Sequence, residues 1–329
     1  AGGGDGAPKP RLFDLAELQK SLDKDKDNLQ LYVLKAKQEH EDKKESVAKR
    51  EQREKEYFKA SYGEICGPDN RFMLEAELGR GVFSSVFRAQ DMKMGGKFFA
   101  IKFIRGNVML KKAYEKEVRL MRRLRTQASE KDPEGARCLL GLIGAECFEH
   151  EGHLALVFSL QRCDLRSGLA KYGQGHGLPL PNVRDYARDV LLALRALRTV
   201  DVIHSDLKPD NLLMSLDKAS VRLADFGCAM GATERMRSDD VQPRFYRAPE
   251  VMLGQSYGTQ IDMWSAGVTI FELATGRILF KGESNNSMLH QILKVCGAFS
   301  KRMCTTGFAA AKHFAADGDF KLREPGAPE

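Results

Sequence analysis

The sequence predicts an α+β fold of two lobes: a five-stranded sheet with one helix, then a mainly helical lobe, with a cleft between them. Three observations carry this prediction. Residues 72–159 alternate short apolar, β-branched and aromatic runs with glycine punctuation. Beyond residue 160 the apolar residues fall at helical spacing. No internal repeat is present, so a solenoid is excluded.

Strands are predicted at 72–78, 85–89 and 98–104, set apart by Gly79-Arg80-Gly81 and Gly95-Gly96. A helix follows over 111–124, with Tyr114, Val118, Met121 and Leu124 on one face, and then strands near 142–148 and 154–159. The second lobe carries an amphipathic helix at 183–200, an apolar one at 261–275 around Trp264, and another at 285–295. Residues 1–61 differ. From 35 to 55 the chain is almost wholly charged or polar, with Val47 alone among larger apolar side chains, so a helix there would bury no stripe. That region reads as a charged linker or docking tail, flexible or helical. The domain is placed at 62–320 (first lobe 72–160, second lobe 161–320, incomplete), with a tail over 321–329.

The 329 residues are 43% hydrophobic and 29% charged, ordinary for a globular protein. No apolar run approaches the roughly 20 residues of a membrane span, and no signal-peptide pattern opens the chain. Seven dispersed cysteines without metal-ligand spacing read as reduced thiols inside the cell. Within the net charge of +7, Lys111, Lys112, Lys116, Arg119, Arg122, Arg123 and Arg125 crowd one predicted helix. They form a solvated face or meet an acidic or phosphorylated partner. Aromatic residues do not interleave them as single-strand binders require, so no direct nucleic-acid contact is expected.

The chemistry-bearing residues fall at the lobe junction. Gly79-x-Gly81-x-x-Ser84-x-Val86 lies between two strands, where little side-chain bulk lets backbone N–H groups approach phosphate oxygens. An ordinary turn has the same glycines, so this signal is weak alone. Phe99-Ala100-Ile101-Lys102 ends on a lysine in an apolar strand; a buried ammonium needs a counter-charge, and Glu117 is the natural one. The strongest signal is His204-Ser205-Asp206-Leu207-Lys208-Pro209-Asp210-Asn211, a carboxylate with a lysine two residues on and an amide five residues on. Phosphoryl transfer needs a base for the attacking hydroxyl, a cation against the moving phosphoryl and an oxygen ligand for Mg²⁺, which Asp206, Lys208 and Asn211 supply in that order. Ala224-Asp225-Phe226-Gly227 adds an acidic oxygen donor of the kind Mg²⁺ prefers, and Arg247-Ala248-Pro249-Glu250 closes the segment.

In order and spacing these motifs resemble the protein-kinase signature set. The resemblance implies ATP and Mg²⁺ as cofactors and a protein hydroxyl as acceptor. Leu78, Gly79, Arg80, Gly81, Val82, Ser84 and Val86 would cover the nucleotide. Lys102, paired with Glu117, would hold its α- and β-phosphates. Val86, Ala100 and Leu213 would sandwich the adenine, with Phe158 behind it and Leu160 in the connecting hinge. Asp206 would be the catalytic base, and Asn211 and Asp225 the metal ligands. Phe226 and Gly227 would open an activation segment containing Asp240, Arg244, Tyr246, Arg247 and Glu250.

Pro243-Arg244-Phe245-Tyr246-Arg247-Ala248-Pro249-Glu250 resembles the cyclin-dependent, MAP, glycogen-synthase and CDC-like group. In that group the Arg247 position implies a preference for proline after the target residue. Lys171-Tyr172-Gly173, Gly177-Leu178, Gly81-Val82-Phe83-Ser84 and Ile261-Asp262-Met263-Trp264-Ser265 are similar to the pre-mRNA-processing factor four splicing kinases. This implies a nuclear serine/threonine kinase, monomeric as a domain and acting on spliceosomal proteins. A CDC-like or dual-specificity tyrosine-regulated kinase is the alternative enzyme, and a pseudokinase scaffold the alternative of another class.

Four departures from the family pattern stand out. Ser84 replaces a third glycine. Ser205 replaces the arginine that usually grips an activation-segment phosphate. Asp240 stands near where relatives carry a tyrosine; it, or its neighbour Asp239, is expected to direct a fixed negative charge toward Arg244 or Arg247. Only residues 251–329 follow Glu250, without the later helix whose arginine pairs with that glutamate in the family. The chain is therefore expected to be a fragment of the lower lobe, with turnover belonging to the parent protein.

Overall fold

Alternation of inward and outward side chains builds the first lobe. A computed structural model describes residues 54–232 and 238–323, so the readings of residues 1–53 and 324–329 as tails lie outside the described residues. Strands β1 (Ile65–Cys66), β2 (Phe72–Arg80), β3 (Ser84–Asp91), β4 (Phe98–Ile104), β5 (Leu142–His150) and β6 (His153–Ser159) form one antiparallel sheet in the order β1-β2-β3-β4-β6-β5. Six strands thus replace the five expected. The added one, β1, pairs Ile65 with Met73 and Cys66 with Phe72. A strand of two residues, lying between Gly63 and Gly67, is too short to show a period of two. Strand β2 runs through Arg80 and β3 begins at Ser84, which shortens the glycine-rich connection to a turn over residues 81–83.

One face of the sheet buries Phe72, Leu74, Phe87, Phe99, Ile101 and Phe103. Phe58 joins them from before the boundary read at residue 62: its ring stacks on Phe103 at 4.0 Å and meets Phe87 edge-on at 5.7 Å. The packed body therefore starts within the stretch assigned to the tail. A single aromatic residue after a charged run carries no periodic signal, so only the tertiary contact reveals it.

The other face receives α1 (Val108–Arg123). Asn107 caps it, its side-chain oxygen accepting from the Met109 and Leu110 amides, so the helix begins three residues earlier than its apolar spacing suggests. Leu110, Tyr114, Glu117, Val118 and Met121 form the buried stripe.

In the second lobe β7 (Cys163–Asp164) leads into α2 (Leu165–Tyr172) and the long α3 (Leu180–Thr199). Two small ladders follow: β8 (Val202–Ile203) pairs with β11 (Met230–Gly231), while β9 (Leu212–Met214) lies between β7 and β10 (Val221–Leu223). These hold the loops between them at the cleft floor. Helix α4 (Gln260–Thr275) is apolar nearly all round and buried accordingly. Gly177 lets the chain pass over its end, since a Cβ there would sit 2.3 Å from the Ala274 carbonyl, and Leu178 donates to Leu273. Helix α5 (Asn285–Cys296) opens on a Ser284/Ser287 capping box. The Asn286 side chain grips the Lys321 carbonyl and the Arg323 amide, both at 2.9 Å, so the chain stays docked past the boundary read at residue 320.

The burial of Phe58 makes a direct prediction. Phe58→Ala is expected to destabilise the protein by about 3–5 kcal/mol in urea unfolding, the range for an aromatic side chain deleted from a core. A loss below about 1 kcal/mol, the range of surface substitutions, would detach residues 54–60 from the fold.

Candidate active site

The upper wall of the cleft is set by strand register. Gly79 pairs with Val86 and Arg80 with Ser85, and the Gly81 amide closes the turn onto the Ser84 carbonyl at 2.8 Å. A Cβ at Gly79 would meet nothing within 4 Å, so a bound group has room to approach that backbone. Ser84, in place of a third glycine, is buried and paired with Ile104 in the ladder. Lys102 stands opposite Val86 on β3 and Leu156 on β6. Ala100, two residues earlier, shares its face of the sheet. Ala100 and Phe158 join one apolar cluster, against which Val82, Val86, Leu160 and Leu213 pack. Two residues assigned to the nucleotide set stand apart. Leu78 is 49% exposed. The Arg80 side chain turns outward, its guanidinium 3.0 Å from Glu54, 3.1 Å from Glu77 and over the Tyr57 ring.

The floor is the loop after β8. Buried Asp262 on α4 accepts the His204 amide at 2.7 Å and the Ser205 amide at 2.9 Å. Burial pushes this carboxyl above its ordinary range, against the pull of His204 and of the two amides. Ser205 adopts φ +60°, and its hydroxyl donates to the Cys228 carbonyl at 2.5 Å. His204 Nε2 lies 3.0 Å from the Ala224 carbonyl, and its ring meets Phe226 edge-on at 5.3 Å. So anchored, Asp206 presents its carboxylate between two neighbours, Lys208 Nζ 3.1 Å from Oδ1 and Asn211 Nδ2 donating to Oδ2 at 2.9 Å. Asn211 Nδ2 also donates to the Asp206 carbonyl at 2.7 Å, so of this side chain it is the oxygen that could accept a cation.

Asp225 takes a left-handed backbone conformation (φ +63°, ψ +77°) that brings its Oδ1 to 4.0 Å from Lys102 Nζ. The same ammonium lies 4.7 Å from the centroid of the Tyr114 ring, and Glu117 is buried one turn further along α1. Residues 81–84, Lys102, Tyr114, Asp206, Lys208 and Asp225 line one cavity of about 160 Å³. A larger groove of about 630 Å³, between residues 254–256 and 300–308, holds none of the candidate residues. Oxygen donors from Asn211 and Asp225 suit a hard cation such as Mg²⁺, and Lys102 suits a phosphate.

Beyond the floor, Arg247 is buried and fully engaged. It donates to the Asp239, Asp240 and Gln242 carbonyls and to Asn285 Oδ1, and its Nη2 lies 2.9 Å from the Asp240 carboxylate. Arg244 instead donates to the Glu283 carbonyl, and Asp239 faces Lys312 at 3.4 Å. Tyr246 is buried; its hydroxyl donates to Glu272 at 2.5 Å and accepts from Arg166 at 2.6 Å. Arg166 also bonds Glu272 and lies 3.4 Å from Asp210, which ties this segment to the loop that carries Asp206. Tyr246 thus packs inside a closed network, away from solvent.

Comparison with known proteins decides the family. The family model described as the protein kinase domain matches residues 72–316. The chain belongs to the protein kinase family. Serine/threonine-protein kinase prp4 of Schizosaccharomyces pombe is 39% identical over 252 residues, covering 77% of this chain and 51% of that protein. Serine/threonine-protein kinase prpf4B of Dictyostelium discoideum is 32% identical over 78% of the chain and 31% of its own length. Serine/threonine-protein kinase SRPK of Physarum polycephalum is 30% identical over 80% of the chain and 75% of its own length. The chain thus spans about half the length, or less, of the first two relatives.

Several residues that build this kinase site were not singled out in the sequence for their roles. Asp262 stood in a quoted motif, but its signal, shared by Glu272, is a carboxylate inside an apolar helix, which demands internal donors. Gln242 (φ +71°) and Arg166 carry no such local sign, because Gln242 reaches Ile261, 19 residues on, and Arg166 reaches Glu272, 106 residues on.

Glu250 yields a pH prediction. Burial raises its carboxyl above the ordinary range, and no cation offsets that shift among the described residues. Below the unfolded-state value both states hold the proton and burial costs little; above the folded value the native state must bury a charge. Glu250→Gln is therefore expected to match the wild-type Tm near about pH 4 and exceed it near about pH 7. A Tm difference independent of pH would show that Glu250 keeps its ordinary acidity.

Proposed function

We propose that the whole protein is a serine/threonine kinase that transfers the γ-phosphoryl of ATP to a protein hydroxyl, with Asp206 as catalytic base. The observation that carries this reading is the Asp206 carboxylate, braced by Lys208 and Asn211, in the cavity that also holds Lys102 and Asp225. Mg²⁺–ATP would supply the activated phosphoryl group, held by Asn211 and Asp225 at the metal and by Lys102 at the phosphates. Asp206 would orient the acceptor hydroxyl and take its proton, while Lys208 offsets charge on the transferring group. Leu213, Ala100 and Val86 would enclose the base, with Phe158 behind it.

The similarity to pre-mRNA-processing factor four kinases supports splicing proteins as substrates and the nucleus as the site of action; the domain is proposed to work as a monomer. No helix among the described residues is long and apolar enough to cross a membrane. No direct nucleic-acid partner is proposed, and two charges of the basic helix are engaged internally. Lys111 pairs with Glu149 at 2.6 Å, and Arg123 donates to the Val200 carbonyl at 2.6 Å.

In the full-length protein, Asp206→Asn should lower phosphate incorporation into a splicing-protein substrate by on the order of 10²–10⁴-fold while Mg²⁺–ATP still binds. Incorporation unchanged by the substitution would sink the mechanism, and no turnover by either protein would favour the scaffold reading.

Substrate preference follows from Gln242. Its carbonyl is held by Arg247 Nε at 3.2 Å and Nη2 at 2.9 Å, so it is not offered to the residue after the target. An amide left unpaired there costs roughly 1–3 kcal/mol, and proline has none. Ser-Pro peptides should therefore exceed matched Ser-Ala peptides by on the order of 10-fold in kcat/KM. Asp240→Ala, which removes the fixed charge beside Arg247, should lower the rate several-fold and keep that ratio, because two N–H groups still hold the carbonyl. Equal rates on the two peptides would reject the preference; an unchanged rate in the variant would reject the role of Asp240.

A further inference from the structure

Residues 54–58 run beneath the glycine-rich turn on the side away from the cleft. Glu54 lies 3.0 Å from Arg80, the Glu56 carbonyl accepts the Gly106 amide at 2.8 Å, and the Glu56 carboxylate lies 3.1 Å from the buried Arg105 guanidinium. Tyr57, itself buried, ends on the turn: its hydroxyl is 2.7 Å from the Val82 carbonyl and 2.9 Å from that of Gly81, one proton shared between them. Arg105 completes the grip. Its guanidinium donates to the Val82 carbonyl at 2.9 Å and its amide to the Phe83 carbonyl at 2.9 Å. The Tyr57 ring is held in turn by the Arg80 and Arg105 guanidinium groups, at 4.9 and 5.5 Å from its centroid.

A trans peptide carries its C=O and N–H on opposite edges, and no peptide in the described chain is cis. Pulling the Gly81 and Val82 carbonyls toward Tyr57 and Arg105 therefore turns the Val82 and Phe83 amides the other way. Gly81, Val82, Phe83 and Ser84 line the cavity shared with Lys102 and Asp225, while Tyr57 and Arg105 do not. Among the described residues no backbone carbonyl takes either amide. Two N–H groups aimed together into a cavity beside a lysine make an anion cradle.

We propose that Tyr57 is a positioning residue for the phosphate-binding turn: from outside the cleft its hydroxyl holds the Gly81 and Val82 carbonyls so that the Val82 and Phe83 amides face the nucleotide phosphates. This rests on the kinase reading for the identity of the anion, but the brace itself does not. A strap contributed by the chain just before the domain thereby sets how well the turn accepts a triphosphate.

Tyr57→Phe removes the hydroxyl and keeps the ring between the two arginines. Loss of one neutral hydrogen bond should weaken Mg²⁺–ATP binding by about 3- to 10-fold, with adenosine affinity unchanged because it has no phosphates. Amide hydrogen exchange over residues 81–83 should quicken while the rest of the upper lobe keeps its protection. Glu54→Ala, which touches Arg80 but not the turn carbonyls, should leave both readouts as in the wild type. Unchanged exchange at residues 81–83, equal loss of ATP and adenosine binding, or faster exchange across the whole lobe would overturn the proposal. If the wild type shows no preference for ATP over adenosine, the kinase reading fails, and local exchange in Tyr57→Phe alone decides whether the brace exists.

Discussion

The geometry of the site depends on one buried carboxylate. Asp262 sits inside the most apolar helix of the second lobe and accepts the amides of His204 and Ser205. Hydrogen bonds to a charged acceptor contribute about 1.5–3 kcal/mol each, and leaving such a group buried without donors costs more. The loop therefore has one low-energy way to lie on α4. That arrangement includes the left-handed Ser205, a conformation that costs a non-glycine residue of order 1–3 kcal/mol and persists because its surroundings over-determine it. Asp206, the next residue, inherits its position from this anchor. Its side chain is then trimmed by Lys208 and Asn211, so the placing of this carboxylate is a backbone event first and a side-chain event second.

The opposite wall is positioned by a different principle. The glycine-rich turn has almost no side-chain mass with which to hold itself, and its flanking strands end at Arg80 and Ser84. Its backbone carbonyls are instead captured from behind by Tyr57 and Arg105. Lys102 follows from strand register: β4 lies between β3 and β6, so a side chain on its cleft face has no freedom to move along the sheet. Floor and wall meet where Lys102 approaches Asp225, and that closeness requires the left-handed backbone at Asp225.

Ser205 shows how a local replacement changes the wiring while Asp206 keeps its place. The serine hydroxyl turns inward to the Cys228 carbonyl, just beyond the Asp225-Phe226-Gly227 run. The positive charge that organises the activation segment lies in Arg247 instead, which gathers the carbonyls of Asp239, Asp240 and Gln242 with the Asp240 carboxylate. The Tyr246, Glu272 and Arg166 network binds the same segment, through Asp210, to the loop that carries Asp206.

Much of this was legible in the linear chain. The lobes, the principal helices and the ordered motifs around Lys102, Asp206, Asn211 and Asp225 depend on local periodicity and on residue types that phosphoryl chemistry restricts, so they survive as pattern. The six-stranded edge, the burial of Phe58, the outward turn of Arg80 and the anchoring by Asp262 did not. Each depends on partners tens of residues away, or on elements too short to have a period. Sequence by itself determined which groups are available for chemistry and in what order. Tertiary structure alone decided which way their backbone faces, because a carbonyl or an amide carries no residue-specific mark until another part of the chain takes hold of it.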